Sequence, residues 1–417
     1  MRTAVLLPLC MLTWAADPVP VIAPTPADVN APAMPAQAAF LRAVAGAPAI
    51  QAAQERIFAA RRAAGSAGRL ADPMLGAGYA RKSTAMDRWP MYDVRLEQAL
   101  PRWGERDARR AKALAETAMT EADLREIIGD TAAEIAAMLA EAESARAKAE
   151  LARAQIARAT AVQTIIVARV ASGTGGSAEQ LEVNSRLAAL AVERDTMLRM
   201  AADAEQDVRG RLGLPPTALL PIFAAPDPKS IAIERVPGIA AAQAKSAEAD
   251  AMFQEARASR YPETALGVRY ERELVPGDTM TTVGLELRVS LPVWQSASGD
   301  QELAALARRR AAQHEAEAWQ FRARALLGRA ERATAVAVTA RSAAEATKGR
   351  ISAEYDALVQ AATTQSGPGL TAVLGVIDRL SEAERQVIDA EVAARQAAAG
   401  LWRLAPPDLP TSVRAQP

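Results

Sequence analysis

Apolar and polar residues alternate strictly in a stretch near the middle of the chain, residues 283–291. Every second residue is Val or Leu, and the residues between them are Gly, Glu, Arg and Ser. A period of two places the two sets on opposite faces of a β-strand. A wholly aliphatic face opposite a face with ions of both signs is typical of a strand between lipid and water. The pattern therefore predicts a membrane strand.

Four strands are predicted from this alternation, at 74–81, 91–100, 264–271 and 281–291. Each has about ten residues, which suffices to cross an outer membrane when the strand is tilted. The charged positions between the apolar ones are predicted to line an aqueous lumen: Asp93, Arg95, Glu97, Arg269, Glu271, Glu286 and Arg288.

The second half of the chain repeats the first half at a spacing near 190 residues. Leu-Pro-Arg-Trp at 100–103 corresponds to Leu-Pro-Val-Trp at 291–294, and Leu-x-Val-x-x-Arg-Leu occurs at 181–187 and at 374–380. Six such pairs follow one another in the same order in both halves. Constant order and offset indicate two structural repeats.

Each repeat also contains a segment of more than 60 residues without proline. Glycine-containing breaks follow these segments, which predicts long antiparallel helical hairpins at 104–212 and 299–404. A helix of this length reaches roughly 100 Å at 1.5 Å per residue. Arg and Glu recur throughout, so the helices are not expected to span a membrane. They are predicted to form a coiled-coil wall in water, in which Ala permits close packing.

The N-terminus has a basic start, an apolar stretch and small residues, which predicts a secretory signal at 1–16. Cys10 offers a second interpretation, as a lipid-modified first residue, although Leu9 before it is larger than a lipoprotein signal favours. The other boundaries follow from the elements: a Pro/Ala-rich tether at 17–35, repeat 1 at 36–214, a linker at 215–237, repeat 2 at 238–405 and a disordered tail at 406–417.

Composition removes several classes of function. Basic and acidic residues balance at 49 each, so nothing favours nucleic acid as a partner. One Cys and one His exclude an internal disulfide and a site with two imidazoles. The sequence contains no nucleophile–base set, phosphate loop or metal-ligand cluster, so we expect no enzyme and no cofactor. His314 lies in a charged helical run and is predicted to be a surface residue.

Four strands cannot close a barrel, and an open sheet edge in lipid leaves backbone groups unpaired at several kcal/mol each. The chain is therefore expected to oligomerise, with each copy adding four strands to a shared ring. The predicted fold class is mainly α with a small transmembrane β part.

The duplication, the strand pairs and the glycine breaks followed by Leu-x-Val-x-x-Arg-Leu resemble the outer-membrane efflux proteins, the TolC-like channels of Gram-negative exporters. The resemblance implies a homotrimer in which twelve strands form a barrel above an α-helical periplasmic tunnel. It also implies passive conduction of solutes from a periplasmic adaptor and an inner-membrane pump. Leu-Pro-Arg-Trp-Gly-Glu-Arg at 100–106 is similar to the branch that serves heavy-metal pumps (CzcC-like).

The resemblance also assigns roles to single residues. Acidic residues of the tunnel mouth correspond to Glu182 and Asp378, while Gly375 stands where an acid is common. Arg186 lies one helical turn beyond Glu182 and Arg379 directly follows Asp378, and both are expected to pair with these acids. The hairpin tips, which meet the adaptor, correspond to Gly173, Gly175, Gly176, Ser177, Gly367, Gly369 and Leu370.

Alternatives remain for several of these interpretations. A periplasmic coiled-coil scaffold or adaptor that never enters the membrane is the main rival function, and the strand alternation argues against it. Glu182 and Asp378 are equally compatible with solvated positions on a helix face. Trp89, Trp103 and Trp294 are interpreted as anchors at the membrane interface or as packing residues. The conducted solute is left open between metal cations, small organic compounds and secreted protein.

Overall fold

A computed structural model describes residues 36–83, 87–172, 176–226, 231–275, 277–290, 296–362 and 370–409. Within these ranges the chain is mainly helical and contains one four-stranded sheet, which confirms the prediction of a mainly α protein with a small β part. The predicted signal and tether, with Cys10, lie outside the described residues, as do Trp294 and the hairpin glycines Gly173, Gly175, Gly367 and Gly369.

Each repeat consists of a helix, two strands and a helical hairpin, and the first repeat begins with the additional helix α1. The helices are α1 (Ala36–Ala45), α2 (Pro48–Ser66), α3 (Glu105–Ala171), α4 (Ser177–Leu212), α5 (Pro237–Ala258), α6 (Ser296–Ala362) and α7 (Leu370–Gly400). The strands are β1 (Met74–Ser83), β2 (Arg88–Leu100), β3 (Glu263–Val275) and β4 (Asp278–Ser290). Short 3₁₀ turns occupy Ile233–Arg235 and Leu401–Arg403.

The sheet has the order β1-β2-β3-β4, and all neighbouring strands are antiparallel. In the described part of the chain, β1 and β4 therefore each pair with one strand only. The strands extend beyond their predicted ends at the β1–β2 and β3–β4 turns, because the alternation weakens there while the backbone ladder continues.

The registers of the two strand pairs show the duplication directly. Gly76 pairs with Arg95 in the first repeat, and Gly267 pairs with Glu286 in the second. The differences are 267 − 76 = 191 and 286 − 95 = 191. The long helices have the same offset, because α3 and α6 have 67 residues each and begin at Glu105 and Ser296.

Alanine dominates the buried positions of α3, where it allows neighbouring helices to approach closely. The packing partners of α3 are α2, α4, α5 and α7, and α6 packs against α5 and α7. Among the described residues, no helix combines the length and the apolarity that a membrane span requires.

The largest apolar cluster surrounds the middle of α3. Phe40 of α1 stacks against Trp402 at a centroid distance of 6.0 Å, and both pack with Ile135 of α3. Gly129 lies beneath this cluster, where a Cβ atom would stand 2.7 Å from the carbonyl oxygen of Trp402. The close approach of these two backbones therefore requires glycine at position 129.

Two segments predicted to be irregular are tied to this cluster. Phe223 of the linker packs against it, and the Trp402 indole donates a hydrogen bond of 3.0 Å to the carbonyl of Ala224. Residues 406–409 of the predicted disordered tail are described, and Leu409 packs against the same cluster. A single apolar contact of this kind has no periodic signature in the sequence.

Candidate functional site

The sheet separates apolar and charged side chains onto two faces, with the periodicity read from the sequence. The apolar face is exposed along its whole length: Leu285 is 82% exposed and Leu287 68%. Val94 of β2 and Val268 of β3 belong to the same face. A contiguous exposed apolar surface of this kind marks contact with lipid or with another protein.

The charged face carries all seven predicted lumen residues, and six of them form ion pairs. Arg288 of β4 donates to Glu97 of β2 at 2.7 Å, across the intervening strand β3. Glu286 lies 3.5 Å from Arg95 and 3.7 Å from Arg269, and Arg269 also lies 3.1 Å from Glu271. Four carboxylates, including Asp93, face three guanidinium groups, so this face is close to neutral.

Asp93 occupies space that a glycine leaves open on the neighbouring strand. Gly78 pairs with Asp93, and a Cβ atom at position 78 would overlap the Asp93 carboxylate. A side chain at position 78 would therefore displace Asp93 from the charged face.

A further cluster on the charged face was not predicted. Lys82 of β1 pairs with Glu273 of β3, and the Trp89 indole donates to the same carboxylate at 3.2 Å. Trp89 therefore lies with the charged residues rather than with the apolar face. Trp89, Asp93 and Arg95 all have odd numbers on one strand, so the period of two already indicated that Trp89 lies on the charged face.

The other predicted site lies where α4 and α7 begin. Val183 of α4, Ile377 of α7, and Val162 and Ile166 of α3 form a small apolar cluster there. Arg186 of α4 forms an ion pair through both carboxylate oxygens of Asp378 of α7. We refer to this cluster and the charged residues around it as the mouth.

The remaining predicted mouth residues have different surroundings. Arg379 donates to Glu354 of α6 at 2.7 Å, so it does not lie against Glu182. Glu182 is exposed and forms no ion pair with another described residue. Among the predicted tip residues, Gly176 is the extended N-cap of α4, Ser177 begins α4 and Leu370 begins α7.

A row of ion pairs between α7 and its neighbours was missed in the sequence. Arg158 of α3 donates two hydrogen bonds of 2.8 Å to the Glu384 carboxylate, and donation to this carboxylate raises the pKa of the Arg158 guanidinium. Arg385 pairs with Glu193 of α4, and Lys148 of α3 with Asp389 at 2.6 Å. Helix faces do not reveal such partners, because the residues are roughly 190–240 positions apart.

His314 is exposed and 3.4 Å from Glu317, as expected of a surface residue. Across the described ranges, no group of three or more His, Cys, Asp or Glu side chains is placed to hold a metal ion. The arrangement presents charged and apolar surfaces and can bind or guide solutes by electrostatics.

This arrangement of one sheet above two long helical hairpins is the fold of known outer-membrane channels. The chain aligns with the outer membrane protein VceC from Vibrio cholerae at a TM-score of 0.66 and 16% identity, covering 88% of this chain and 94% of that one. The Neisseria gonorrhoeae MtrE outer membrane channel in its open state aligns at a TM-score of 0.66 and 16% identity, covering 88% of this chain and 88% of that one. CusC, whose structures were described for folding and transmembrane channel formation, aligns at a TM-score of 0.67 and 12% identity, covering 88% of this chain and 91% of that one.

No protein-family model and no curated protein sequence matches the chain. The similarity to solved structures therefore shows a common fold at low sequence identity.

Proposed function

We propose that the protein is the outer-membrane channel of a tripartite efflux system. In this proposal it conducts metal cations or small organic compounds passively from a periplasmic adaptor and an inner-membrane pump to the outside. The observation that carries the proposal is the sheet, with one exposed apolar face and one ion-paired face, joined directly to two 67-residue helices. Lipid fits the first face and water the second, while the charged helices extend into the periplasm.

A single copy leaves β1 and β4 as open edges, and the repeat indicates how a second copy covers them. The pairing of β2 with β3 joins two repeats within the chain, so the pairing of β4 with β1 of the next copy should have the same geometry. Leu96 pairs with Val268, and adding and subtracting 191 gives Leu287 opposite Ala77 of the next copy. In the same register Arg288 faces Gly76 and Leu285 faces Tyr79 of that copy.

We refer to the pairing of β4 with β1 of the next copy as the seam. This register keeps the apolar face and the charged face continuous across the seam. A shift by one residue would bring charged side chains onto the apolar face, so the register is strongly specified. Three copies give the twelve strands implied by the resemblance, with the helices of the three copies forming the tunnel wall.

The mouth is proposed to restrict this tunnel. Three copies bring together six carboxylates from Glu182 and Asp378, which attract cations and disfavour anions. The Arg186–Asp378 pair connects α4 to α7 and is proposed to hold the mouth closed. The residues where α4 and α7 begin are proposed to contact the adaptor.

The deciding measurement is the native mass of the full protein extracted with detergent from isolated outer membranes. A complex of three chains is expected. A monomer or dimer found in the periplasm would reject the channel and favour a coiled-coil scaffold.

The seam is tested with a double variant that carries both Leu287→Cys and Ala77→Cys. A disulfide can then form between position 287 of one copy and position 77 of the next copy. We expect oxidation to link three chains, because directly opposite residues have Cα atoms about 4.5–5.5 Å apart. The matched control joins Leu287→Cys with Leu75→Cys, two residues out of register, and should link poorly. Preferential linking of the control would reject the register.

A further inference from the structure

Four arginines line one groove at the junction of the sheet and the helices. The groove lies between α2 and α3, has a volume of about 850 Å³ and is bordered by Arg61, Arg69, Arg106 and Arg110. Asp107 is the one carboxylate among its lining residues. We refer to it as the arginine groove.

Most of this charge is not neutralised within the chain. Arg61 donates to Glu121 at 2.8 Å. Arg69, Arg106 and Arg110 form no ion pair with any carboxylate in the described part of the chain. Like charges held together in this way repel one another, so the groove is complementary to an anion.

The groove opens away from the charged face of the sheet. A second groove beside it is bordered by Glu105 and Arg109 of α3 together with Glu97 and Arg288 of the charged face. At 100° per residue, Glu105 and Arg109 lie on the opposite side of α3 from Asp107 and Leu114, which border the arginine groove. Arg69, at the end of α2, borders both grooves.

An exposed aromatic residue precedes the arginines of the groove in the sequence. Trp103 lies three residues before Arg106 and is 83% exposed. Exposed Trp close to Arg is typical of the interface between acyl chains and lipid headgroups. Leu70, which follows Arg69, borders the second groove instead.

The second repeat serves as an internal comparison. With Pro48 of α2 aligned on Pro237 of α5, the position of Arg61 corresponds to Asp250. With the offset of 191 between the long helices, Arg106 and Arg110 correspond to Ala297 and Gln301. The helices pack there without the arginines, and Asp250 is neutralised by Arg309. The fold therefore does not require the arginine groove.

We propose that the arginine groove binds the phosphate headgroup of an anionic phospholipid of the leaflet that faces the periplasm. The proposal rests on the proposed function, because it needs the sheet to be in the outer membrane. Guanidinium groups bind phosphate oxygens through paired N–H donors, and an anionic lipid satisfies the net charge of the groove. The exposed Trp103 provides contact for its acyl chains.

The test measures binding of phosphatidylglycerol and of phosphatidylcholine to the detergent-extracted full protein by native mass spectrometry. The test variant is Arg106→Gln with Arg110→Gln. The control is Arg308→Gln with Arg310→Gln, which removes the same charge from α6. These residues lie about 10 positions further along their helix, or roughly 15 Å deeper, beyond the Debye length of about 8 Å.

We expect the unaltered protein and the control to bind phosphatidylglycerol in preference to phosphatidylcholine. We expect the test variant to lose about tenfold in phosphatidylglycerol binding, since each arginine near a membrane surface adds to the attraction. A variant with Arg106→Lys and Arg110→Lys keeps the charge and should retain most of this binding.

Equal phosphatidylglycerol binding by the test variant and the unaltered protein would overturn the proposal, as would an equal loss in the control. Displacement of the lipid by millimolar inorganic phosphate would also overturn it, because the groove would then be a site for the free ion. The native mass is read in the same spectra. A complex of three chains without arginine-dependent lipid binding would refute the groove alone, whereas a monomer would refute the channel itself.

Discussion

The charged face of the sheet and the mouth both contain ion pairs, but these pairs connect different kinds of elements. In the sheet, Arg95, Glu286 and Arg269 join strands that backbone hydrogen bonds already hold together. At the mouth, Arg186 and Asp378 connect helices α4 and α7, which share no backbone ladder. A charge lost from the sheet should therefore change the field along the charged face, while a charge lost at the mouth should also change how the helices are held.

The largest effect is expected on the apolar face of the sheet. Leu287→Arg places a charge where lipid is proposed, at a cost of about 2–4 kcal/mol per chain near the bilayer midplane. The assembled complex should be lost, as measured by native mass. Glu286→Gln is the matched control one residue away on the charged face, and it should assemble normally because Arg95 and Arg269 keep an oxygen acceptor. Normal assembly of both variants would show that the apolar face does not meet lipid.

A smaller effect is expected where α3 is tied to α7. Arg158 and Glu384 are 24% and 14% exposed, and Arg158→Ala leaves this carboxylate without its two hydrogen bonds. We expect a loss of about 1–3 kcal/mol in the free energy of unfolding, measured with denaturant. Arg341→Ala is the control, because Arg341 pairs with Glu345 one turn away on an exposed surface, where solvent screening leaves such pairs little effect on stability. Equal losses would show that the Arg158 pair is no more than a surface contact.

The pH dependence of the contribution of Arg158 to stability follows from the direction in which its pKa is shifted. Hydrogen bonding to Glu384 raises the pKa of Arg158 in the folded state. A raised pKa contributes stability below the unfolded value, and that stability is lost only as the pH rises through the folded value. Since an arginine guanidinium is protonated in both states at neutral pH and at pH 9, the difference between Arg158→Ala and the unaltered protein should not shrink over this range through deprotonation of this group.

The smallest effect is expected for ion selectivity. Glu182→Ala with Asp378→Ala should lower the cation preference of single channels by roughly twofold at 0.1 M salt, and by less at 1 M, where the Debye length is about 3 Å. Glu315→Ala with Glu317→Ala removes the same charge far from the mouth and should leave selectivity unchanged. If the two double variants behave alike, Glu182 and Asp378 do not line the narrow part of the path.

The sheet was predictable from the sequence because its information is local. A period of two assigns each side chain to a face wherever a strand forms, so Glu97 and Arg288 were assigned to the charged face although they are 191 residues apart. The repeat added the order of the elements and the length of the hairpins. The partner of each charge was not predictable, because α-helical faces meet at angles and heights that no local pattern encodes. Arg379 of α7 thus pairs with Glu354 of α6, and its position next to Asp378 in the sequence does not indicate this partner.

The sequence by itself determined the strands and their two faces, the duplication and the long charged helices. These features depend on residue spacing along one element, which the backbone geometry converts directly into direction. Only the tertiary structure decided which charges become neighbours. It placed Trp89 beside Glu273, joined Arg158 to Glu384 and gathered Arg61, Arg69, Arg106 and Arg110 into one groove. These residues come from separate elements, and their meeting depends on how whole helices and strands pack.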